Sequence, residues 1–276
     1  MKIRLLAIDM DGTCLNQRSK ISEQTMKALK ACADAGVMIV PTTGRALSCL
    51  PYQLAGNPDL YRYVISSNGA QITDCQDWSS VSQVPIAKEC AISLLESCRK
   101  ERLGITAHIS QEYMMQGRVL IFVGRIIYGR DAGNTIYVKD MSDTIRQGNG
   151  ILEELQFYFL SRTARKNVPD IMKAFPELSA TYDRSYVEIF SRDASKGNAL
   201  SELSSYLQID PGQVACIGDG ENDLSLFQAA GIRFAMGNAV PDLKAAADYV
   251  LPSNKNDGVA YAIDNYILPT VYCSRS

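Results

Sequence analysis

The sequence predicts an α/β fold: a Rossmann-like parallel sheet core interrupted by an inserted α+β cap domain. Three observations lead there. Apolar runs of strand length, Ile3 to Ile8 and Val214 to Ile217, are continuous rather than alternating, as in strands covered on both faces. Such runs stop at polar clusters and give way to helical periodicity, the strand–helix–strand grammar of a parallel sheet. The middle of the chain alternates apolar and polar residues instead, the mark of an antiparallel sheet with one wet face. The length, 276 residues, suits roughly two domains.

The first strand, Ile3 to Ile8, ends at Asp9-Met10-Asp11-Gly12-Thr13. Ser22 is placed to cap a helix, with Ile21 and Met26 as its hydrophobic staple. Met26, Leu29 and Ala33 are expected on its core face and Gly36 at its end. A second strand, Val37 to Val40, runs into Pro41-Thr42-Thr43-Gly44-Arg45, and a third, Tyr63 to Ile65, into Ser66-Ser67-Asn68-Gly69. The alternating strands follow: Ile105 to Ile109, Thr135 to Lys139 and Tyr186 to Phe190. Helical stretches are expected at Ala87 to Arg102 and Pro169 to Phe175. The parallel pattern then returns. A helix over Lys196 to Leu207 presents Leu200, Leu203 and Leu207 on one face, and the strand Val214 to Ile217 ends at Gly218-Asp219-Gly220-Glu221-Asn222-Asp223. A helix reaching Ala230, a strand near Ile232 to Met236, a helix near Leu243 to Ala247 and a strand near Tyr249 to Leu251 complete the chain. The expected organisation is a core of 1–83 and 190–276 around a cap of 84–189.

Composition narrows the chemistry. Lys plus Arg is 28 against 30 Asp plus Glu, a net charge of -2 that argues against a nucleic-acid partner. The single histidine, His108, excludes a multi-histidine metal site and leaves carboxylates, hydroxyls, amides and lysines to do the work. The eight cysteines, from Cys14 to Cys273, form no C-x-x-C pair, so zinc-ribbon and thioredoxin readings fail. Several lie in apolar runs, as Cys216 does, and read as small buried hydrophobes in a reducing compartment. The N-terminal apolar stretch is too short for a signal peptide, and no run approaches the ~20 residues of a membrane span. The expectation is a cytoplasmic protein with no membrane partner.

Ligands of open parallel sheets bind beyond the carboxyl ends of the strands. There the sequence gathers Asp9, Asp11, Asp219 and Asp223. Two unit charges ~4 Å apart interact by about 4 kcal/mol at an effective dielectric near 20, so such a cluster needs a cation. All-oxygen ligands without histidine point to Mg²⁺ rather than Zn²⁺. Any one of these Asp residues is explained well enough as a helix cap or turn former; the four together are not. Asp9 is ionised at neutral pH and can attack phosphorus, and Asp11, two residues on, can serve the departing oxygen as general acid and water as general base.

The Asp9-Met10-Asp11-Gly12-Thr13 string, taken with the later clusters, resembles the haloacid dehalogenase (HAD) superfamily of phosphotransferases. Thr43-Gly44-Arg45 resembles its second motif, Ser195-Lys196-Gly197 its third and Gly218 to Asp223 its fourth, in the required order. Ser67 to Ala70, Ala235-Met236-Gly237-Asn238-Ala239 and Asn256 to Ala260 are similar to the Cof-type subgroup, whose class IIB cap follows the third strand. The resemblance implies an aspartyl-phosphate at Asp9 and acid/base work at Asp11. It implies phosphate contacts from Met10, Thr43, Gly44, Lys196 and Asn222, and Mg²⁺ bound by Asp9, Asp11 and Asp219. Asn68 and Asp223 support the site. It covers both core segments; the cap matches only in position, size and alternating strands. D-x-D-G also opens calcium loops, but an EF-hand would need Glu where Lys20 stands.

The expected activity is therefore Mg²⁺-dependent hydrolysis of small soluble phosphate esters by a monomer or weak homodimer. A phosphomutase or phosphotransferase of the same superfamily is the alternative enzyme. A receiver-like signalling domain is shorter, lacks the insertion and carries its phospho-Asp on the third strand. A non-catalytic phospho-ligand binder has no need of both Asp9 and Asp11. His108 reads as a surface or packing residue and Trp78 as packing near the junction of core and cap. Arg45 reads equally as a cap of the second helix's first turn or as a substrate contact.

Overall fold

The computed structural model describes residues 2–117 and 134–272, so Cys273 lies outside the described residues. The chain forms two compact units: Met1–Gly44, Pro51–Ser82 and Ser195–Ser276 in the first, Arg45–Leu50 and Gln83–Ala194 in the second. In chain order the strands are β1 (Leu5–Asp9), β2 (Met38–Thr42), β3 (Tyr63–Ser66), β4 (Gln71–Asp74), β5 (Ser79–Gln83), β6 (Leu103–Ile109) and β7 (Glu112–Gln116). They continue as β8 (Ile136–Val138), β9 (Leu152–Phe159), β10 (Leu178–Tyr182), β11 (Tyr186–Ser191), β12 (Val214–Gly218), β13 (Ile232–Ala235) and β14 (Tyr249–Val250).

The first unit holds a sheet of order β14-β13-β12-β1-β2-β3-β4-β5. From β14 to β3 every pairing is parallel, and β4 turns back antiparallel to β3. β1 lies between β12 and β2, with Leu5 opposite Val214 on one side and Met38 on the other. All five of its residues are buried, which is why its apolarity is continuous. The helix Glu23–Asp34 is capped by Ser22, whose Oγ accepts from Thr25 N at 3.0 Å. Its buried face is Thr25, Ala28, Leu29 and Cys32, rotated from the expected Met26–Leu29–Ala33 stripe; Met26 and Ala33 are half-buried at the margins. Gly36, at φ +85°, ends it in the left-handed region. Trp78 is not the packing residue expected: it is 65% exposed between β4 and β5, at φ +62°.

The second unit has its own six-stranded sheet, β10-β11-β9-β6-β7-β8, antiparallel except where β8 runs parallel to β7. Helices Lys88–Ser97, Met141–Gln147 and Arg162–Met172 bring Leu94, Met141 and Val168 into a core with Ala107, Leu155, Phe157, Val187 and Ile189. The last of these helices starts at the Ser161 cap and takes Pro169 inside it, well upstream of the expected start. The other sheet face carries a buried polar network. A bulge between His108 and Ile109 leaves Glu153 extra and aligns Glu154 with His108. Gln156 Nε2 donates to Glu154 Oε1 at 2.7 Å, and Tyr113 OH donates to Gln156 Oε1 at 3.2 Å. His108 is a packing residue, 1% exposed, its pKa pushed down to about 3 by burial. Arg45–Leu50 belongs to this unit because Ser48 N donates to Gln111 O at 3.0 Å and Ala46 packs with Tyr113 and Met115. Arg45 itself donates to Cys49 O at 3.3 Å.

Candidate active site

The site forms at the carboxyl ends of the parallel strands of the first unit. Asp9 is the last residue of β1 and is 5% exposed. Lys196 is the first residue of the helix Lys196–Tyr206, fixed by the Ser195 cap, whose Oγ accepts from Asn198 N. Its Nζ lies 2.7 Å from Asp9 Oδ1 and 2.7 Å from Asp223 Oδ1, all three side chains being buried. Asp223 Oδ2 accepts from Asp219 N at 2.9 Å and Gly220 N at 3.0 Å, so Asp223 ties the loop after β12 to the lysine. Two glycines permit this crowding. A Cβ on Gly12, at φ +86°, would meet Asp219 Oδ2 at 2.2 Å, and one on Gly69 would meet Ser195 O at 2.2 Å.

Oxygens of Asp9, Asp219 and Asp223 lie within 4.8 Å of one another. Three carboxylates, two buried and Asp219 half-buried, face one ammonium, and the pKa values register the excess of negative charge. Burial and the neighbouring Asp223 hold Asp9 well above the usual carboxylate range against the pull of Lys196. Asp219 is raised to about 6, first by burial. Burial works against the charge on Lys196, but Asp223 and Asp9 outweigh it and keep the ammonium protonated. Asp9 Oδ2 is buried without a hydrogen-bond partner. Three carboxylates gathered against a single ammonium, with no histidine or thiol among them, fit a divalent cation with oxygen ligands. Cys14 offers no rival nucleophile: burial, with Asp9 adding, pushes its thiol up to about 12.

The remaining expected residues are placed as follows. Asp11 is exposed just beyond β1, outside the group of three, in which Asp223 stands instead. Met10 is 1% exposed and belongs to the hydrophobic core. Thr43 N donates to Ile65 O at 2.9 Å, and Thr43 O accepts from Asn68 N at 3.1 Å, which ties the loops after β2 and β3 together; Gly44 is half-buried beside them. Asn222 Nδ2 donates to Asn68 Oδ1 at 3.1 Å, with Ser67 and Asn68 both at positive φ. Sequence reasoning gave no role to Thr13 or Asn238. Thr13 Oγ1 donates to Asp219 Oδ1 at 2.8 Å, and Asn238 Nδ2 donates to Asp219 Oδ2 at 3.2 Å. Both lie inside quoted motif strings, which was their only signal.

A parallel α/β core that presents an aspartate nucleophile candidate, a lysine and an acidic loop on neighbouring strand ends defines a class of hydrolase. The sequence profile of the haloacid dehalogenase-like hydrolases matches residues 6–263, and the chain belongs to that family. The 5-amino-6-(5-phospho-D-ribitylamino)uracil phosphatase YcsE of Bacillus subtilis is 28% identical over 96% of this chain and 96% of its own length. A solved haloacid dehalogenase-like hydrolase from B. subtilis superposes with a TM-score of 0.82 at 26% identity, over 96% of this chain and 100% of that one. A solved HAD subclass IIB sugar phosphatase, 20% identical, shares the fold with a TM-score of 0.80 over 95% of this chain and 98% of its own.

Proposed function

We propose that the chain is a Mg²⁺-dependent phosphatase of small soluble phosphate esters, sugar phosphates or similar metabolites, working through an aspartyl-phosphate at Asp9. One observation carries the reading: Lys196 pins Asp9 Oδ1 at 2.7 Å while Oδ2 stays buried and unpartnered, an oxygen held for attack. Oδ2 attacks phosphorus as the ester P–O bond breaks, and the Asp11 carboxyl gives its proton to the leaving alkoxide. Asp11, now a carboxylate, takes a proton from water as that water attacks phosphorus. The bond between Asp9 and phosphorus then breaks, returning the Asp9 carboxylate and releasing inorganic phosphate. Lys196, Asn222, Thr43, Gly44 and the Met10 N–H are assigned to the phosphoryl oxygens. Asp9 and Asp219 are assigned to the cation, with Asn68 and Asp223 in support; when bound, Mg²⁺ offsets the charge of the transferring phosphoryl group. Because the Asp11 carboxylate lies outside the acidic group, we assign it the proton rather than the metal.

The phosphatase names of relatives such as YcsE support the small-ester class. The net charge of -2 supports the absence of a nucleic-acid partner. The seven described cysteines are all free, which supports a reducing, cytoplasmic setting. Among the described residues no helix is long and apolar enough to cross a membrane. We assign the protein no macromolecular partner beyond a weak homodimer, and substrate choice to the cap of about 84–189. The test is release of inorganic phosphate from a panel of small phosphate esters in MgCl2, after chelation, and with Asp9→Asn. Release that needs Mg²⁺ and disappears in folded Asp9→Asn is expected. No release from any ester, or unchanged turnover in the variant, ends the reading.

A further inference from the structure

Two asparagines with no part in the reaction above close a chain of hydrogen bonds along the strand ends of the first unit. In sheet order the strands there run β14, β13, β12, β1. Asn254 follows β14, Asn238 follows β13, Asp219 follows β12 and Gly12 follows β1. Asn254 N donates to Asn238 Oδ1 at 2.9 Å. Asn238 Nδ2 donates to Gly12 O at 2.8 Å and to Asp219 Oδ2 at 3.2 Å. Asn254 Nδ2 donates to Leu15 O at 2.8 Å. The Asn238 amide has only one orientation that satisfies these partners. A backbone N–H can only donate and a backbone carbonyl can only accept, so the oxygen must face Asn254 and the nitrogen Gly12.

Asp219 therefore receives one donor on each oxygen, Thr13 Oγ1 on Oδ1 at 2.8 Å and Asn238 Nδ2 on Oδ2. The two donors come from the loops after β1 and β13, one on each side of β12. They fix the carboxylate plane and leave each oxygen further lone pairs for a ligand. Groups that orient a ligating carboxylate in this way contribute to metal affinity without touching the metal.

We infer that Asn238 is a positioning residue for Asp219, held in register by Asn254, and that the pair sets the divalent-cation affinity of the site. The inference rests on the cation site of the proposed function. Substitution of outer-shell partners costs about 10–100-fold in metal affinity, and the solvent exposure of Asn238 puts its effect near the lower end. The experiment titrates MgCl2 alone into the metal-free full chain by calorimetry and records the melting temperature before cation is added. Asn238→Ala is expected to weaken Mg²⁺ binding about tenfold. Asn254→Ala keeps the backbone N–H that donates to Asn238 Oδ1 and removes only the side-chain anchor to Leu15 O, so it should weaken binding less, in the same direction. The double variant should match Asn238→Ala, because Asn254 acts through Asn238.

A structural role alone would lower the cation-free melting temperature and leave the Mg²⁺ dissociation constant at the wild-type value; that result overturns the inference. Losses that add in full overturn the relay between the two asparagines. If Asn238→Ala does not fold, Asn238→Leu, which keeps the size of the side chain and removes its amide, must still weaken Mg²⁺, and an unchanged constant there overturns the inference as well. Absence of Mg²⁺ binding by the wild type overturns the cation reading itself and this inference with it, and is told apart because it appears without any substitution.

Discussion

Lys196 is the residue on which the site's electrostatics turn, since its ammonium pairs with the two buried carboxylates, Asp9 and Asp223, beside the half-buried Asp219. Lys196→Met keeps the length and removes the charge. Breaking a buried pair costs about 3–5 kcal/mol, so the metal-free variant should unfold at a clearly lower denaturant concentration, and Mg²⁺ should recover part of the loss. Equal deficits in EDTA and in MgCl2 would show that lysine and cation do not share those carboxylates. His108 gives a pH prediction. Its folded pKa is pushed down to about 3 by burial, whereas the unfolded chain takes the proton near 6.5. Between these values the unfolded state holds the extra proton, so stability is full above 6.5 and falls as pH drops toward 3. By pH 5 the loss is about 2 kcal/mol. The Glu154 carboxylate, with Oε1 3.9 Å from His108 Nδ1, favours the charged ring and trims that loss. His108→Gln should flatten the stability profile between pH 7 and pH 5; a parallel profile would contradict this. Asp9, Lys196, Asp219 and Asp223 were readable because each sits in a short string at a strand end or helix start. The sequence gathered Asp223 with the other three, but that Asp223 and not Asp11 completes the group was not readable, because it depends on how the turn after β12 folds back through Asp219 N and Gly220 N.

At the scale of elements, two turns with nearly the same backbone angle separate conformational cost from chemical cost. Gly36 has φ +85° with open space around it, and Gly12 has φ +86° against Asp219. Gly36→Ala should cost about 1–2 kcal/mol of stability and leave kcat untouched. Gly12→Ala adds a clash at 2.2 Å, so Asp219 must move and Mg²⁺-dependent turnover should collapse. Steady-state kinetics beside thermal melts distinguish the two, and equal activity losses would mean that the Gly12 turn can yield. The parallel strands were legible because burial on both faces leaves an uninterrupted apolar run. β9 was not read as a strand: Leu152–Phe159 carries two adjacent glutamates, and the bulge at Glu153 breaks its alternation. The helix Arg162–Met172 opens with arginine and lysine and contains a proline, so its apolar face, Ala164, Val168 and Met172, was too sparse to mark its start.

For the whole molecule, every residue assigned to the reaction lies in the first unit, while the second has a separate sheet and core. Substrate preference is thereby expected to follow the second unit. A chimaera carrying a relative's second unit should keep its Mg²⁺ requirement and change its ranking of esters by kcat/KM. Each altered leaving-group contact should shift the ratio by about 1–3 kcal/mol. A folded, Mg²⁺-binding chimaera with the original ranking would assign selectivity to the first unit instead.

The separation of 187 positions between Asp9 and Lys196 also imposes an order on synthesis. β1 emerges from the ribosome early and can pair with β2, but its other neighbour, β12, is translated only after the whole second unit. Until then β1 keeps a bare edge, the kind of surface that invites misassembly. A nascent chain that has reached Ala194 has all of the second unit's sequence in hand, yet it carries Asp9 without its lysine or its acidic loop. Asp9, the nucleophile of the proposed reaction, thus meets its partners last, and a product stalled at that point holds five of the sheet's eight strands without the groups assigned to phosphoryl transfer.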